Sequence, residues 1–587
     1  MRSFAAIAAA VRDRYDRVSS SAPRSALLAG VFTVVFFTVA AVAWVPNGVY
    51  DDWSISNALS GRWGDPQGLC LFVNAGLAGA IFNLNCMISG FNWFFIVERT
   101  SAFVAVFTIV YLSVRYCSIE FASIMTFGAF VLLVPGCTYE SNFTYVAGAC
   151  VCAGGLALLC SLACARHRAC LLVVGWVLMV LGIAWRWTMF LLCIPIMGVA
   201  ALMLLFGSRA LTENKLGNVL RLWPFAIALV LFAGMYGLNA SAWNEDPWSG
   251  WLEFNEIRSD ISDYTYQSYD DFADELQAVG VSQNDYQMLK SWLTEDPEFF
   301  TAQRLADVRS VVVAKRSDPM RIVATFPSYC MNAATSLRFD VLFVALLVAI
   351  ALCPGKKARR FALAIVLGTF VLCWALYAFG RLPARVELPV WMYAAACAGV
   401  LVGKNAPDTR GYGRIRDSVG ALFLVLPVVA VAFILAIGIP HARPDRLSAI
   451  FDEESFTPSN YLTEYLAEHE EDLYALNVAS NASIVYANLM IAPIDKGIME
   501  HTTSLGGWAA RAPYAVARNG RIDMPNPIKG LVDNPKALLV SAGTGTADML
   551  KTYLREHYYP DADYEEVDCI ADSKSSSKLF VYRFSKQ

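Results

Sequence analysis

The stretch Gln67-Gly-Leu-Cys-Leu-Phe72-Val-Asn74-Ala-Gly76-Leu-Ala-Gly79-Ala-Ile-Phe-Asn83-Leu-Asn85-Cys86 decides how the whole chain is threaded. It is apolar enough to invite a membrane crossing. Asn74, Asn83 and Asn85 interrupt and bound it, and Gly76 and Gly79 weaken it as a helix. Parity settles its role. If it crosses, Arg115, Arg166, Arg168, Lys356, Lys357, Arg359 and Arg360 all fall on the outer side, against the excess of cytoplasmic Lys and Arg that orients membrane proteins. If it stays on one face, all of them fall inside. Residues 67–86 are therefore expected to form an interfacial or re-entrant helix within the first outer loop.

Composition leads to the same class. The 587 residues are 57% hydrophobic and 16% charged, with a mean hydropathy of +0.46. That is too apolar for a soluble protein and fits a polytopic helical membrane protein. A net charge of −4 without a basic tract excludes a nucleic-acid partner. The fifteen cysteines lie mostly in apolar runs, where they act as small hydrophobes. A Cys70–Cys86 disulfide is one reading of the first loop, and two free thiols is the simpler one. No CxxC pair has metal spacing, and the five histidines are scattered, so no metal ligand cluster is expected.

Eleven spans follow from length and charge: 27–45, 91–114, 119–134, 143–164, 170–184, 190–206, 220–238, 337–352, 361–379, 388–402 and 419–439. Lys404, Arg410, Arg414 and Arg416 then also fall inside. The expected topology is a multi-pass cell-membrane protein with a cytoplasmic amino terminus and an extracytoplasmic carboxyl-terminal domain. Residues 1–439 form the membrane domain, with outer loops at 46–90 and 239–336. Residues 440–587 form a soluble α/β domain. There, Ser459 caps a helix reaching Glu471. Leu473–Val478, Ala537–Ser541, Glu565–Ile570 and Lys578–Phe584 are strand-like, and Thr546–His557 is an amphipathic helix. In the loop 239–336, Ser282 is an expected helix N-cap. The aromatic and acidic residues there suit either a sugar-binding surface or an aromatic belt at headgroup level.

Four charged features meet on the outer side in this threading. They are Asp51-Asp52-Trp53, Tyr139-Glu140-Ser141-Asn142, Trp185-Arg186-Trp187, and Gly380-Arg381-Leu-Pro-Ala-Arg385-Val-Glu387. Arginines on that side run against the topology statistics. A guanidinium binds phosphate or carboxylate in a planar fork, so three of them beside two adjacent aspartates point to a site. The plainer alternative is that each arginine pairs with Asp52, Glu140 or a lipid headgroup.

The paired acids after the first span, the interfacial helix, the many further spans and the outer carboxyl-terminal domain resemble the GT-C superfamily of integral-membrane glycosyltransferases. Asp51-Asp52-Trp53-Ser-Ile-Ser-Asn-Ala-Leu-Ser-Gly61, Phe91-Asn92-Trp93-Phe94 and Gly280-Val-Ser-Gln-Asn284-Asp285-Tyr286 are similar to segments of large bacterial polytopic proteins placed near that superfamily. The resemblance implies an inverting sugar transfer from a polyprenyl-phosphate donor to a cell-envelope glycan or lipid acceptor. Asp51 or Asp52 would be the general base, with Asp51 favoured. Arg186, Arg381 or Arg385 would stabilise the leaving phosphate. Glu140, Trp53 and Trp187 would help bind substrate. No cofactor is required, although some relatives use a divalent metal, for which Asp51, Asp52 and Glu140 could serve. A transporter or flippase would need charges along a path within the spans, and few are present. A non-catalytic assembly protein for surface polysaccharide is the other alternative.

Overall fold

A computed structural model describes residues 2–43, 50–61, 67–138, 142–163, 167–207, 220–264, 268–314, 319–333, 337–351, 353, 355–402, 461–478, 480, 500–571 and 578–586. The chain is a polytopic helical membrane protein that carries a small α/β domain at its carboxyl end. The membrane part comprises α1 (Arg2–Ser19), α2 (Ala22–Ala43), α3 (Tyr50–Ser60), α4 (Ala75–Met87), α5 (Trp93–Tyr116), α6 (Ile119–Gly128), α7 (Val134–Thr138), α8 (Phe143–Ala163), α9 (Arg168–Gly207) and α10 (Trp223–Trp243). A π-helical turn, Ala129–Leu133, joins α6 to α7. After a large polar segment come α17 (Leu337–Ala351), α18 (Lys356–Ala378) and α19 (Ala384–Val402). The polar segment itself holds α11 (Trp248–Ser262), α12 (Ala273–Ala278), α13 (Gln283–Lys290), α14 (Ala302–Ala314), α15 (Pro319–Ala324) and α16 (Phe326–Ala333).

Among the described residues, seven helical stretches are long and apolar enough to cross a membrane. One of them, Arg168–Leu205, has 38 residues. As a straight rod it would reach ~57 Å, against a hydrocarbon core of ~30 Å. It does not run straight. Arg186 leaves the helical region (φ −161°, ψ 101°), and the neighbours of each half show that the chain turns back there. Before the break, Gly175 packs on Leu158 and Gly182 on Ala147 and Val151, so the first half runs antiparallel to α8. After it, Met189 lies against Gly148, and the second half descends beside α8. α9 is thus two spans meeting at Arg186, as the 170–184 and 190–206 runs predicted. Small residues let the backbones approach. A Cβ on Gly154 would stand 2.8 Å from the Gly175 carbonyl oxygen and 2.9 Å from the Met179 nitrogen. Helices stand at every other predicted span except 419–439, which lies outside the described residues. The stretch 67–86 supplies only the 13-residue α4, roughly 20 Å of helix and too short to cross.

Asn74, which interrupts that apolar stretch, is the N-cap of α4. Its side chain accepts from the Gly76 N–H and donates through Nδ2 to the Met235 carbonyl at 3.0 Å. Its own N–H donates to the Ala184 carbonyl at 2.8 Å. Asn239 Oδ1 accepts from the Ala75 N–H at 2.8 Å. The first loop is thereby fastened to the apex of α9 and the end of α10. Cys70 and Cys86 are both free thiols.

The carboxyl-terminal domain contains α20 (Tyr461–Glu468), β1 (Leu473–Asn477), β2 (Thr502–Leu505), α21 (Pro513–Arg521), α22 (Pro527–Asp533), β3 (Ala537–Ser541), α23 (Thr544–His557), β4 (Asp563–Ala571) and β5 (Lys578–Ser585). The sheet order is β2-β1-β3-β5-β4. β2, β1 and β3 are mutually parallel, and β5 and β4 add antiparallel strands. The four strands expected from sequence are present. The four-residue β2 was not among them.

The polar segment belongs with this domain as much as with the helices. Ser282 caps α13 as expected, in a reciprocal box with Asp285. Asp296 Oδ2 accepts from the hydroxyls of Tyr553 and Tyr558, each at 2.6 Å, and Oδ1 accepts from Asn526 Nδ2 at 3.0 Å. Trp251 Nε1 donates to the Ala510 carbonyl at 3.0 Å, and Arg511 to the Phe300 carbonyl at 2.6 Å. These bonds make one block of the segment and the sheet domain, across the boundary that the hydropathy change at residue 440 suggested.

Candidate active site

Between this block and the helix ends lies a cavity of ≈ 1950 Å³. Asp51, Trp53, Arg186, Trp187, Arg381 and Arg385 all line it. Asp52 does not, and Glu140 lies outside the described residues. The two aspartates separate because they are consecutive on α3, where each residue turns the side chain by about 100°. Asp51 faces the cavity, and its Oδ2 is 3.7 Å from Arg385 Nη1. Asp52 is fully buried. Its Oδ1 accepts from the Phe143 N–H at 2.8 Å, at the start of α8, and its Oδ2 has no hydrogen-bond partner among the described residues. Burial, reinforced by Glu98 and Asp51, pushes the Asp52 carboxyl well above the usual carboxylate range. The Phe143 N–H and Arg99 oppose that shift only in part. Asp52 is a helix-end acceptor in the core, and of the adjacent pair Asp51 faces the cavity.

Arg186 sits where α9 breaks. Its Nη1 donates to Thr144 Oγ1 at 2.8 Å and its Nε to Thr188 Oγ1 at 3.3 Å. Its guanidinium lies over the rings of Phe72 (5.2 Å) and Phe143 (5.3 Å). Hydroxyls and aromatic faces hold this cation, and no carboxylate among the described residues stands within ion-pair distance of it. A guanidinium held this way presents its charge to the cavity it lines. Arg381, on the loop between α18 and α19, is more exposed. It reaches Asp263 Oδ2 at 3.3 Å and the Tyr264 hydroxyl at 3.4 Å.

Further lining groups come from the block. Arg258 is buried in α11 and holds Asn255 Oδ1 through Nε and Nη2, at 3.2 and 2.8 Å. Asp263 lies 4.0 Å from its Nη1 and also accepts from Trp292 Nε1 at 3.2 Å. Glu295 is buried and accepts from the Gly506 N–H at 2.5 Å. Burial pushes its carboxyl up to about 7, against the pull of the Gly506, Glu295 and Thr294 amides and of Arg258. These residues were not anticipated. Arg258 had a legible signal, since it repeats at helical spacing with Trp251, Phe254 and Ile261 on the buried face of α11. Asp263 and Glu295 had none.

Of the three acids expected to serve a divalent metal, Glu140 lies outside the described residues, and the other two already have partners. Asp52 is spent on α8 inside the core, and Asp51 faces Arg385. A different set has the geometry to hold an ion. Asp285, Glu556 and His557 bring ligand atoms within 4.8 Å of one another, with His557 Nε2 at 2.8 Å from Asp285 Oδ1. Sequence reading missed this group because two of its members lie 272 residues apart. It joins α13 to α23 and is not part of the cavity lining.

No protein-family model matches the sequence, and no curated protein matches it. Among solved structures, two of those that align with the chain do so over nearly its whole length. The crystal structure of ArnT from Cupriavidus metallidurans in the apo state shares 11% identity, covers 95% of this chain and 97% of its own, and gives a TM-score of 0.37. The structure of the same protein bound to undecaprenyl phosphate shares 12% identity over the same coverage, with a TM-score of 0.35. A likeness that loose carries no weight for activity, which has to be read from the cavity itself.

Proposed function

We propose that this chain is an inverting glycosyltransferase of the GT-C type, acting on the extracytoplasmic face with a polyprenyl-phosphate sugar donor and a cell-envelope glycan or lipid acceptor. The observation that carries the reading is Arg186, a cation without a carboxylate partner among the described residues, lining the same cavity as Asp51. A lipid-linked donor needs its phosphate held at the mouth of a bundle and its sugar beside a base. In the proposed reaction, Asp51 accepts the proton of an acceptor hydroxyl. The oxygen attacks the anomeric carbon, the bond from that carbon to the phosphate oxygen breaks, and polyprenyl phosphate leaves with the electron pair. Phosphate is a good leaving group, so charge stabilisation by Arg186, Arg381 and Arg385 replaces a strong general acid. Trp53 and Trp187 offer apolar faces to the sugar or to the first isoprene units. Movement of Arg385 from Asp51 to the phosphate would release the base as the donor arrives.

The test is Asp51→Asn in the source cell, read as surface-glycan composition and as polyprenyl-linked sugar in the membrane. Loss of a glycan component, with donor accumulating on the outer leaflet, is expected. An unchanged glycan overturns the enzyme, and donor trapped on the cytoplasmic leaflet indicates a transporter instead.

A further inference from the structure

Phe72 is the least expected residue in the cavity wall. Its φ is +75°, a left-handed conformation that is strained for a bulky L-residue and persists only where its surroundings impose it. The surroundings are specific. Two residues later the Asn74 N–H is bonded to the Ala184 carbonyl, two residues before Arg186, so backbone pairing brings the two side chains to the same place. The Phe72 ring lies under the Arg186 guanidinium at 5.2 Å. It also stacks on Phe143 at 5.8 Å with 19° between planes. Its other contact is the edge of Trp508, at 5.4 Å and 69°. Trp508 belongs to the carboxyl-terminal domain and follows Gly506 and Gly507, both at positive φ (+88° and +94°). That turn is held to the polar segment by Glu295, which accepts the Gly506 N–H.

We infer that Phe72 is a positioning residue for the anion site: its ring orients the Arg186 guanidinium toward the lipid phosphate and ties that orientation to the seating of the carboxyl-terminal domain through Trp508. The inference rests on the proposed polyprenyl-phosphate donor. A flexible arginine chain has many rotamers. An aromatic face on one side and two threonine hydroxyls in the plane leave it few, and the entropy of ordering is then lost before the anion binds rather than during binding. The backbone strain at Phe72 is offset by these contacts, which explains why a residue other than glycine occupies the position.

The experiment uses the full chain in lipid nanodiscs with undecaprenyl phosphate as the probe. Phe72→Leu is expected to weaken binding by about 3- to 10-fold, the size of one cation–π contact. Phe72→Tyr, which keeps the ring, should bind within about twofold of the unaltered protein. Because Phe72 acts through Arg186, Phe72→Leu combined with Arg186→Gln should bind no more weakly than Arg186→Gln alone. Trp508→Leu should weaken binding in the same direction, and it serves as a second variant should Phe72→Leu not yield folded protein. Binding by Phe72→Leu and Trp508→Leu equal to the unaltered protein, or additive losses in the double variant, overturns the role of Phe72 while leaving the donor class intact. Failure of the unaltered protein to bind undecaprenyl phosphate overturns both.

Discussion

At the scale of single residues, the adjacent carboxylates Asp51 and Asp52 divide their work by orientation. The sequence places them together, and their shared helix sends one into the cavity and the other into the core. Their chemistry should separate accordingly. Asp51→Asn removes the proposed base and should lower turnover by about 10²-fold or more. Asp52 is held toward its protonated form, and an amide has nearly the same shape and still accepts the Phe143 N–H. Asp52→Asn should therefore keep activity within a few-fold, whereas Asp52→Leu leaves that buried N–H unbonded and should cost about 1–3 kcal/mol of stability. Activity and thermal midpoint of the three variants, measured on purified protein, check these statements. Sequence reading favoured Asp51 on general grounds. What it lacked was the position of the α8 amino terminus, a contact spanning 91 residues.

At the scale of elements, periodicity and charge recovered most of the helices. Asn74 was read as an interruption of an apolar run, and it is the cap that starts α4. The same asparagine that prevents a crossing helix fastens the loop to α9 and α10. The break at Arg186 had a weaker trace, two apolar runs joined by Trp185-Arg186-Trp187, and the direction of each half needed the glycine contacts of α8. Those contacts yield a prediction. Gly154→Val would drive its side chain into backbone atoms of α9, which have no rotamer to give. The hairpin should be destabilised by about 1–3 kcal/mol or more, visible as a fall in monodisperse protein extracted from membranes. Gly234→Val, where a Cβ meets nothing within 4 Å, should extract normally. An equal loss in both would place the sensitivity in helix propensity rather than in packing.

At the scale of the whole molecule, the cavity exists because the polar segment and the sheet domain form one roof over the helix ends. The boundary expected at residue 440 lies outside the described residues, and the composition there carried no information on what the carboxyl-terminal sheet rests against. Asp296, Trp251 and Arg511 make contacts of more than two hundred residues' separation, which no local pattern announces. Glu295 gives this roof a pH response. Its carboxyl is raised in the folded chain from the usual 4.5 to about 7, so the folded state binds the proton more tightly than the unfolded state does. The stability it contributes is complete below pH 4.5 and declines as pH rises through 7, by up to about 3 kcal/mol. The thermal midpoint should fall between pH 5 and pH 8, and Glu295→Gln should flatten that fall. Equal slopes in both proteins would assign the pH dependence to other groups. A cryo-electron microscopy structure of the full chain in nanodiscs with undecaprenyl phosphate tests most directly whether the cavity holds the donor phosphate. The phosphate is expected in the cavity within hydrogen-bonding reach of Arg186 and Arg385, with Arg385 withdrawn from Asp51. A phosphate bound elsewhere, or an empty cavity with the Asp51–Arg385 pair intact at saturating lipid, would contradict it.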